Sequence, residues 1–488
     1  MLLADKLKNK KLLPNQAFVN GRWIGASKSF DVVNPSTGDV IASVPDMGAD
    51  DTHKAISAAH DAFPAWAAKT AKERGAVLKK WYQLILENKE DLGKIMTAEQ
   101  GKPLEEAIGE VQYGAEFVEW FAEEGKRAYG DVIPTTTHGN RIVTIKQPVG
   151  VCAMITPWNF PSAMITRKMP PALAAGCTVV SKPAAATPLS AIALAVLSEE
   201  AGFPEGVINV VTTNQSSDVG EAMCENDKVR KLSFTGSTKI GKVLMEQCAD
   251  TMKKLSLELG GNAPFVVFDD ADLDAAVEGA VAGKFRNCGQ VCIAPNRIYV
   301  QENVHDEFVE KLKAAVEDIN VGDGFDGDSN IGPLINEDGL DKVVEHVKDA
   351  LDKGAELVIG GEKHEKGGQF YQPTILTNMN HDMKIAEDET FGPVAAIFKF
   401  KDESEAIQKS NDTIYGLASY FYSRDVGRVW RFSEALEYGM VGVNTGSISS
   451  EVAPFGGVKH SGMGREGSKY GLDEFMEVKY ISMGGIDE

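Results

Sequence analysis

Residues 151–182 read VCAMITPWNFPSAMITRKMPPALAAGCTVVSK, and their pattern decides the fold. Val151–Thr156 and Cys177–Lys182 are short apolar or β-branched runs, and the intervening Ser162–Ala175 is Ala-rich and of helical length. Strand, helix and strand in sequence make a parallel crossover unit. Further along, Val207–Thr212 and Lys231–Thr235 read as strands, and Pro188–Ala201 and Lys239–Ala249 as helices. Continuous apolar strands alternating with helices predict a parallel sheet covered on both faces. Upstream, 50–68 and 102–127 read as helices. Downstream, the strands Ala263–Phe268 and Arg297–Val300 enclose a helix at Leu273–Phe285, which Asp270 or Asp272 is able to cap. Strand-like alternation at Val132–Gln147 and Phe475–Met483 suggests an edge arm for oligomer formation.

The composition narrows the function. The chain has 488 residues, a length for two to four domains, 43% of them apolar, enough to bury a sizeable core, and its formal charge is −21. That acidity repels a phosphate backbone, so nucleic acid is not an expected partner. No apolar run approaches the roughly 18 residues of a membrane span, and no secretory leader is legible near Met1–Lys11. A cytoplasmic protein without membrane attachment is expected. Six cysteines are too sparse for a disulfide framework, and the close pair Cys288 and Cys292 lacks a second pair or a nearby His to complete a zinc site. No metal is expected. H-E-x-x-H and G-x-S-x-G patterns are missing, which weighs against metalloprotease and serine-hydrolase chemistry.

Ligands of an open α/β sheet bind beyond the carboxyl ends of its strands. At those ends stand Thr156-Pro157-Trp158-Asn159-Phe160-Pro161, Ser181-Lys182-Pro183 and Phe234-Thr235-Gly236-Ser237-Thr238. The glycine turn at Gly236 opens a helix, so its N–H groups suit a phosphate, and Lys182 suits ribose hydroxyls or a 2′-phosphate. Gly236 to Lys242 nearly makes a Walker A loop, but Val243 stands where the magnesium-binding hydroxyl belongs. Cys292, in a Gly-Gln turn after Arg286, is the best nucleophile, with Arg286 expected to favour its thiolate. Glu258 lies between two leucines, where burial would raise its pKa and make it a base. The adjacent Gly260 and Gly261 suggest backbone close to a ligand.

In order along the chain, the boxes Pro157-Trp158-Asn159-Phe160-Pro161, Lys182-Pro183, Phe234 to Thr238, Glu258-Leu259-Gly260-Gly261, Gly289-Gln290-x-Cys292, Glu389-Thr390-Phe391-Gly392-Pro393 and Pro454-Phe455-Gly456-Gly457 resemble the aldehyde dehydrogenase superfamily. Met164 to Lys168, Glu119 to Arg127, Lys284 to Asn287 and Gly464 to Gly471 read as in its succinate-semialdehyde dehydrogenase branch. The resemblance implies an α/β fold with a Rossmann-like cofactor domain (1–129 and 150–259), a second α/β catalytic domain (260–471) and a small β oligomerisation arm (130–149 and 472–488) in a homodimer or homotetramer.

The resemblance implies NAD(P)-dependent oxidation of succinate semialdehyde. Cys292 would attack the aldehyde, Asn159 would stabilise the oxyanion, and Glu258 would activate the water that cleaves the thioester. Trp158, Asn159, Lys182, Pro183, Ala184, Ala185, Gly236, Ser237, Leu259, Glu389 and Phe391 would hold the cofactor, and Arg167, Arg286 and Ser449 the substrate's far carboxylate. Ala185, where many NAD-using relatives carry an acid, leaves room for a 2′-phosphate and favours NADP, with NAD possible. Ala294 stands where close relatives carry a second cysteine, so their redox disulfide is missing here. Glutarate semialdehyde, one methylene longer, stays open as a substrate. The Cys292 and Glu258 pair alone also admits a cofactor-independent thiol esterase.

Overall fold

The computed structural model describes residues 3–486, so residues 1–2 and 487–488 of the expected first domain and arm lie outside the described residues. The first sheet has eight strands in the order Gly462–Met463, Lys254–Glu258, Val229–Thr235, Val151–Ile155, Thr178–Lys182, Ile208–Val210, Ala17–Val19 and Arg22–Ile24. Its central strands, from Lys254–Glu258 to Ile208–Val210, are parallel. Val151–Ile155 shows why these residues form it. All of the strand is buried, with Val151, Ala153 and Ile155 in one apolar cluster and Cys152 and Met154 in another. A period of two with apolar side chains on both sides fits only a strand covered on both faces.

From Val151–Ile155 the chain builds outward through Thr178–Lys182 and Ile208–Val210, then returns to the other side with Val229–Thr235 and Lys254–Glu258. That reversal is a topological switch point, and it leaves a crevice beyond the ends of Val151–Ile155 and Val229–Thr235. The second sheet runs Glu356–Ile359, Thr374–Thr377, Val394–Phe400, Pro295–Gln301, Ala263–Val267, Ala418–Tyr422, Met440–Val443 around a third apolar cluster, and only its Glu356–Ile359 edge is antiparallel. Gly462–Met463 crosses back from the later part of the chain to pair with the first sheet, setting Gly462 opposite Glu258.

Several elements differ from the sequence reading. Ser162–Ala175 is two short helices, Ala163–Thr166 and Met169–Ala175. Pro170 and Pro171 have no N–H to donate, so they occupy the first turn of a helix that has to start afresh. The helix Leu273–Phe285 is as expected, and Asp272 is its cap, accepting from Ala275 N at 3.2 Å. Asp270 instead accepts from the Ser423 hydroxyl and Arg424 N. Helices Ala71–Glu87 and Lys89–Gln100 were not foreseen. Arg141–Pro148 pairs antiparallel with Met476–Met483 in a small separate sheet whose Val132, Val478 and Tyr480 side chains are exposed.

Candidate active site

Two cavities meet at Cys292. The larger, about 490 Å³, lies at the switch-point crevice and is lined by Pro157, Trp158, Asn159, Thr235, Gly236, Ser237, Leu259, Gly260, Lys342, Glu389 and Phe391 among others. The smaller, about 330 Å³, is lined by Glu106, Tyr113, Phe160, Met164, Arg167, Arg286, Ser447, Ser449 and Phe455 among others. Among the described residues, Cys292 and Met164 alone line both.

The sequence explains how the larger cavity forms. Val229–Thr235 ends at Gly236, whose N–H donates to the Glu258 carbonyl at 3.0 Å. Ser237 then caps the helix Thr238–Gln247, accepting from Ile240 N at 3.4 Å, so that helix presents its amino end to the cavity. A Cβ on Gly236 would come within 2.4 Å of the Phe234 ring. Opposite, Trp158 meets Phe391 edge-on with ring centroids 5.6 Å apart. The Thr235 hydroxyl oxygen is buried without a partner. Burial lifts the Glu389 carboxyl to about 7, offset in part by Lys342 and by the Gly261 N–H, which donates to Oε1 at 3.3 Å. Helix amino end, glycine turn, paired aromatics and an unsatisfied hydroxyl fit a dinucleotide.

Lys182, Pro183, Ala184 and Ala185 lie outside both cavities, at the neighbouring strand end, where Thr156 N donates to the Lys182 carbonyl. Burial draws the Lys182 amine down to about 8, and no carboxylate offsets it. Gly260 and Gly261 do serve close approach, but chiefly within the protein: a Cβ on Gly261 would meet the Cys292 carbonyl oxygen at 2.4 Å.

In the smaller cavity Arg167 is 3% exposed. Its guanidinium stacks over Phe455 with its centre 3.7 Å from the ring, its Nε is ion-paired with Glu466 Oε2 at 3.0 Å without hydrogen-bond alignment, and its Nη2 has no partner. The Tyr113 and Ser449 hydroxyls hydrogen-bond each other, and Arg286 lies over Phe160. The cavity therefore gathers two guanidinium groups and three hydroxyls, those of Tyr113, Ser447 and Ser449, within mostly apolar walls.

Cys292 corrects one expectation. Burial lifts its thiol to about 12, and Glu389 adds to this; the cation that pulls it back is Arg167, not Arg286. Asn159 donates its side-chain amide to the Gln290 carbonyl at 2.9 Å, leaving one amide hydrogen for a second acceptor. Glu258 is 4% exposed, which excludes a surface strand. Burial and the nearby Glu466 raise its carboxyl well above the ordinary range, and its Oε2 has no partner. A Cβ on Gly456 would sit 2.8 Å from Glu258 Oε1; the carboxyl lines neither cavity, but its field reaches both Cys292 and Arg167. Cys288 is buried, outside both cavities, and raised to about 12.

Sequence reasoning missed two charged groups here. Lys168 Nζ donates to Glu466 Oε1 at 2.5 Å and to the Ser233 hydroxyl at 3.1 Å, so Lys168, Arg167 and Glu466 form one buried cluster beside Glu258. The sequence carries little signal: Lys168 follows Arg167 within an otherwise apolar stretch, Glu466 sits in the charged, glycine-rich run Gly462–Gly471, and the two are 298 residues apart.

The Aldehyde dehydrogenase family profile matches residues 23–481. The chain belongs to the aldehyde dehydrogenase family. Among curated relatives, the NADP(+) succinate-semialdehyde dehydrogenase of Escherichia coli strain K12 is 59% identical to this aldehyde dehydrogenase over 98% of the chain and 100% of the relative. The glutarate-semialdehyde dehydrogenase of Pseudomonas aeruginosa is 58% identical over 99% of the chain and 100% of the relative. Among solved structures, an NADP-dependent enzyme of Escherichia coli superposes with a TM-score of 0.97 at 59% identity, covering 98% of this chain and 100% of that one. No helix among the described residues is long and apolar enough to cross a membrane.

Proposed function

We propose that this aldehyde dehydrogenase oxidises succinate semialdehyde to succinate with NADP. The single observation that carries the reading is Cys292 at the junction of a dinucleotide-shaped cavity and a cavity lined by Arg167, Arg286 and Ser449. On this reading, residues 1–129 and 150–259 form the cofactor domain, 260–471 the catalytic domain, and 130–149 with 472–488 the arm. The Escherichia coli relative's NADP(+) and succinate-semialdehyde name supports both choices. The glutarate-semialdehyde relative marks the alternative, since one methylene separates the substrates by only about 1–3 kcal/mol.

Cys292 gives its thiol proton to water, and the thiolate sulfur bonds to the aldehyde carbon as the carbonyl oxygen takes up the electron pair. The free amide hydrogen of Asn159 points its charge at that oxygen. Arg167, Arg286 and the Ser449 hydroxyl hold the far carboxylate at a fixed reach from the sulfur, as donors to a charged acceptor. NADP, when bound, supplies the acceptor for the hydride. Trp158, Gly236, Ser237, Leu259, Glu389 and Phe391 orient it, and Lys182, followed by Pro183, Ala184 and Ala185, is the cation for its ribose end. Glu258 then takes a proton from water, whose oxygen attacks the thioester carbon and releases the Cys292 sulfur. A raised proton affinity suits Glu258 to that task near neutral pH.

We also read the protein as a cytoplasmic homo-oligomer. The exposed Ile240, Val243 and Met245 of the helix Thr238–Gln247, with Val478 and Tyr480 of the arm, supply apolar surface for a second copy. The function is tested with aldehydes of increasing length, with and without a terminal acid, against NADP and NAD. The reading requires the highest kcat/KM for succinate semialdehyde with NADP. No aldehyde oxidation with either cofactor, alongside hydrolysis of a simple ester with no nicotinamide present, would replace it with the thiol esterase.

A further inference from the structure

Between the Asn159 loop and the Cys292 turn lies an asparagine that no step above uses. Asn287, Cys288 and Gly289 all have positive φ, at 49°, 56° and 73°. Two of the three carry a side chain that this region disfavours, and such runs persist only where surrounding contacts hold them. Glycine is obligatory only at 289, where a Cβ would meet the Gly392 carbonyl oxygen at 2.1 Å.

Asn287 supplies the holding contacts. Its backbone N–H donates to Glu106 Oε2 at 3.2 Å, and its Oδ1 accepts from Gln100 Nε2 at 2.9 Å. Its carbonyl accepts from Gln290 Nε2 at 3.1 Å. Its amide nitrogen has two hydrogens, and both are spent across the site: Nδ2 lies 2.9 Å from the Asn159 carbonyl and 3.4 Å from the Gln290 carbonyl. The Gln290 carbonyl is the same oxygen that accepts from Asn159 Nδ2. One side chain therefore joins the backbone of the oxyanion residue to the backbone two residues before the nucleophile. Asparagine is the residue that both tolerates left-handed backbone and donates twice from a short side chain.

The geometry points to Asn287 as a positioning residue that, with Lys102 Nζ on the same Asn159 carbonyl at 2.8 Å, sets the Asn159 amide against Cys292, so that the sulfur addresses the carbonyl carbon while the amide addresses its oxygen. This rests on the oxyanion role given to Asn159 above. Asn287 touches neither substrate nor cofactor; it acts through Asn159.

The test is a double-mutant cycle on the full-length enzyme, reading kcat with saturating semialdehyde and NADP. Asn287→Gly keeps the left-handed backbone and removes the amide, and Asn287→Asp keeps the shape and removes both donors. Each is made in wild-type and in Asn159→Ala backgrounds. In the wild-type background each is expected to lower kcat by about tenfold to a hundredfold, the scale of a misplaced oxyanion donor, with the KM for NADP unchanged. In the Asn159→Ala background the same substitutions are expected to change kcat by less than about twofold, because the group they position is gone. Equal losses in the two backgrounds would overturn the proposal, as would full activity of both variants. If Asn159→Ala alone left kcat intact, the proposal would fall together with the oxyanion reading, and that control identifies which had failed. Should Asn287→Gly prove unfolded, the isosteric Asn287→Asp decides the cycle by itself.

Discussion

Glu389→Gln removes one half-buried charge in the larger cavity and leaves the side chain's shape and its acceptor for Gly261 N–H. The carboxyl titrates at about 7 in the folded chain against an ordinary 4.5, with burial the main cause. A raised acid binds more protons folded than unfolded between those values, so stability falls as pH rises through that window and is flat above it. At 1.36 kcal/mol per unit, the ionised side chain costs the cofactor-free protein about 1 kcal/mol at pH 5 and about 3 kcal/mol at pH 8. Because the side chain keeps part of its surface open to the cavity, 3 kcal/mol is the ceiling. Glutamine has no charge to bury, so the variant gains what the wild type loses. Urea unfolding of both proteins, without cofactor and at one protein concentration, reads the difference between pH 5 and pH 9. The stabilisation by Glu389→Gln should grow to about pH 7 and then level off. A difference independent of pH, or a variant less stable than wild type at pH 9, would refute the account of this carboxyl.

Arg286→Ala should raise KM for succinate semialdehyde about tenfold while leaving an uncharged aldehyde of similar length unaffected, as expected for one lost hydrogen bond to a charged group. Steady-state kinetics on the pair of substrates decides it, and equal effects on both would remove the carboxylate clamp. Lys168→Met leaves the paired Glu466 short of one cation in a buried cluster, and unfolding should become easier by about 3–5 kcal/mol in urea. A loss under about 1 kcal/mol would mean that Arg167 alone satisfies Glu466.

The parallel strands and the cavity-lining turns at their carboxyl ends were legible because apolar runs such as Val151–Ile155 are continuous and the turns after them are rich in Pro, Gly, Trp and Asn. The break at Pro170 was less so, since the Ala-rich composition around it outweighs two prolines that suit a first turn. Cys292, Asn159 and the two arginines were legible as residue types in order along the chain. The state of the thiol was not. Arg286, six residues from Cys292, and Arg167, far off in sequence, line the same cavity, and it is Arg167 whose field draws the thiol down. Glu466 beside Lys168, and Asn287 beneath Asn159, were invisible for the same reason: long-range polar pairing is created by the fold and leaves no local period to read.

Covalent capture on Glu258→Gln tests the central claim most directly. Mixed with succinate semialdehyde and NADP, that variant should release about one NADPH per active site in a burst and then stall, with peptide mass spectrometry finding a succinyl thioester on Cys292. No burst, or a burst with the acyl group on any other residue, would contradict the account.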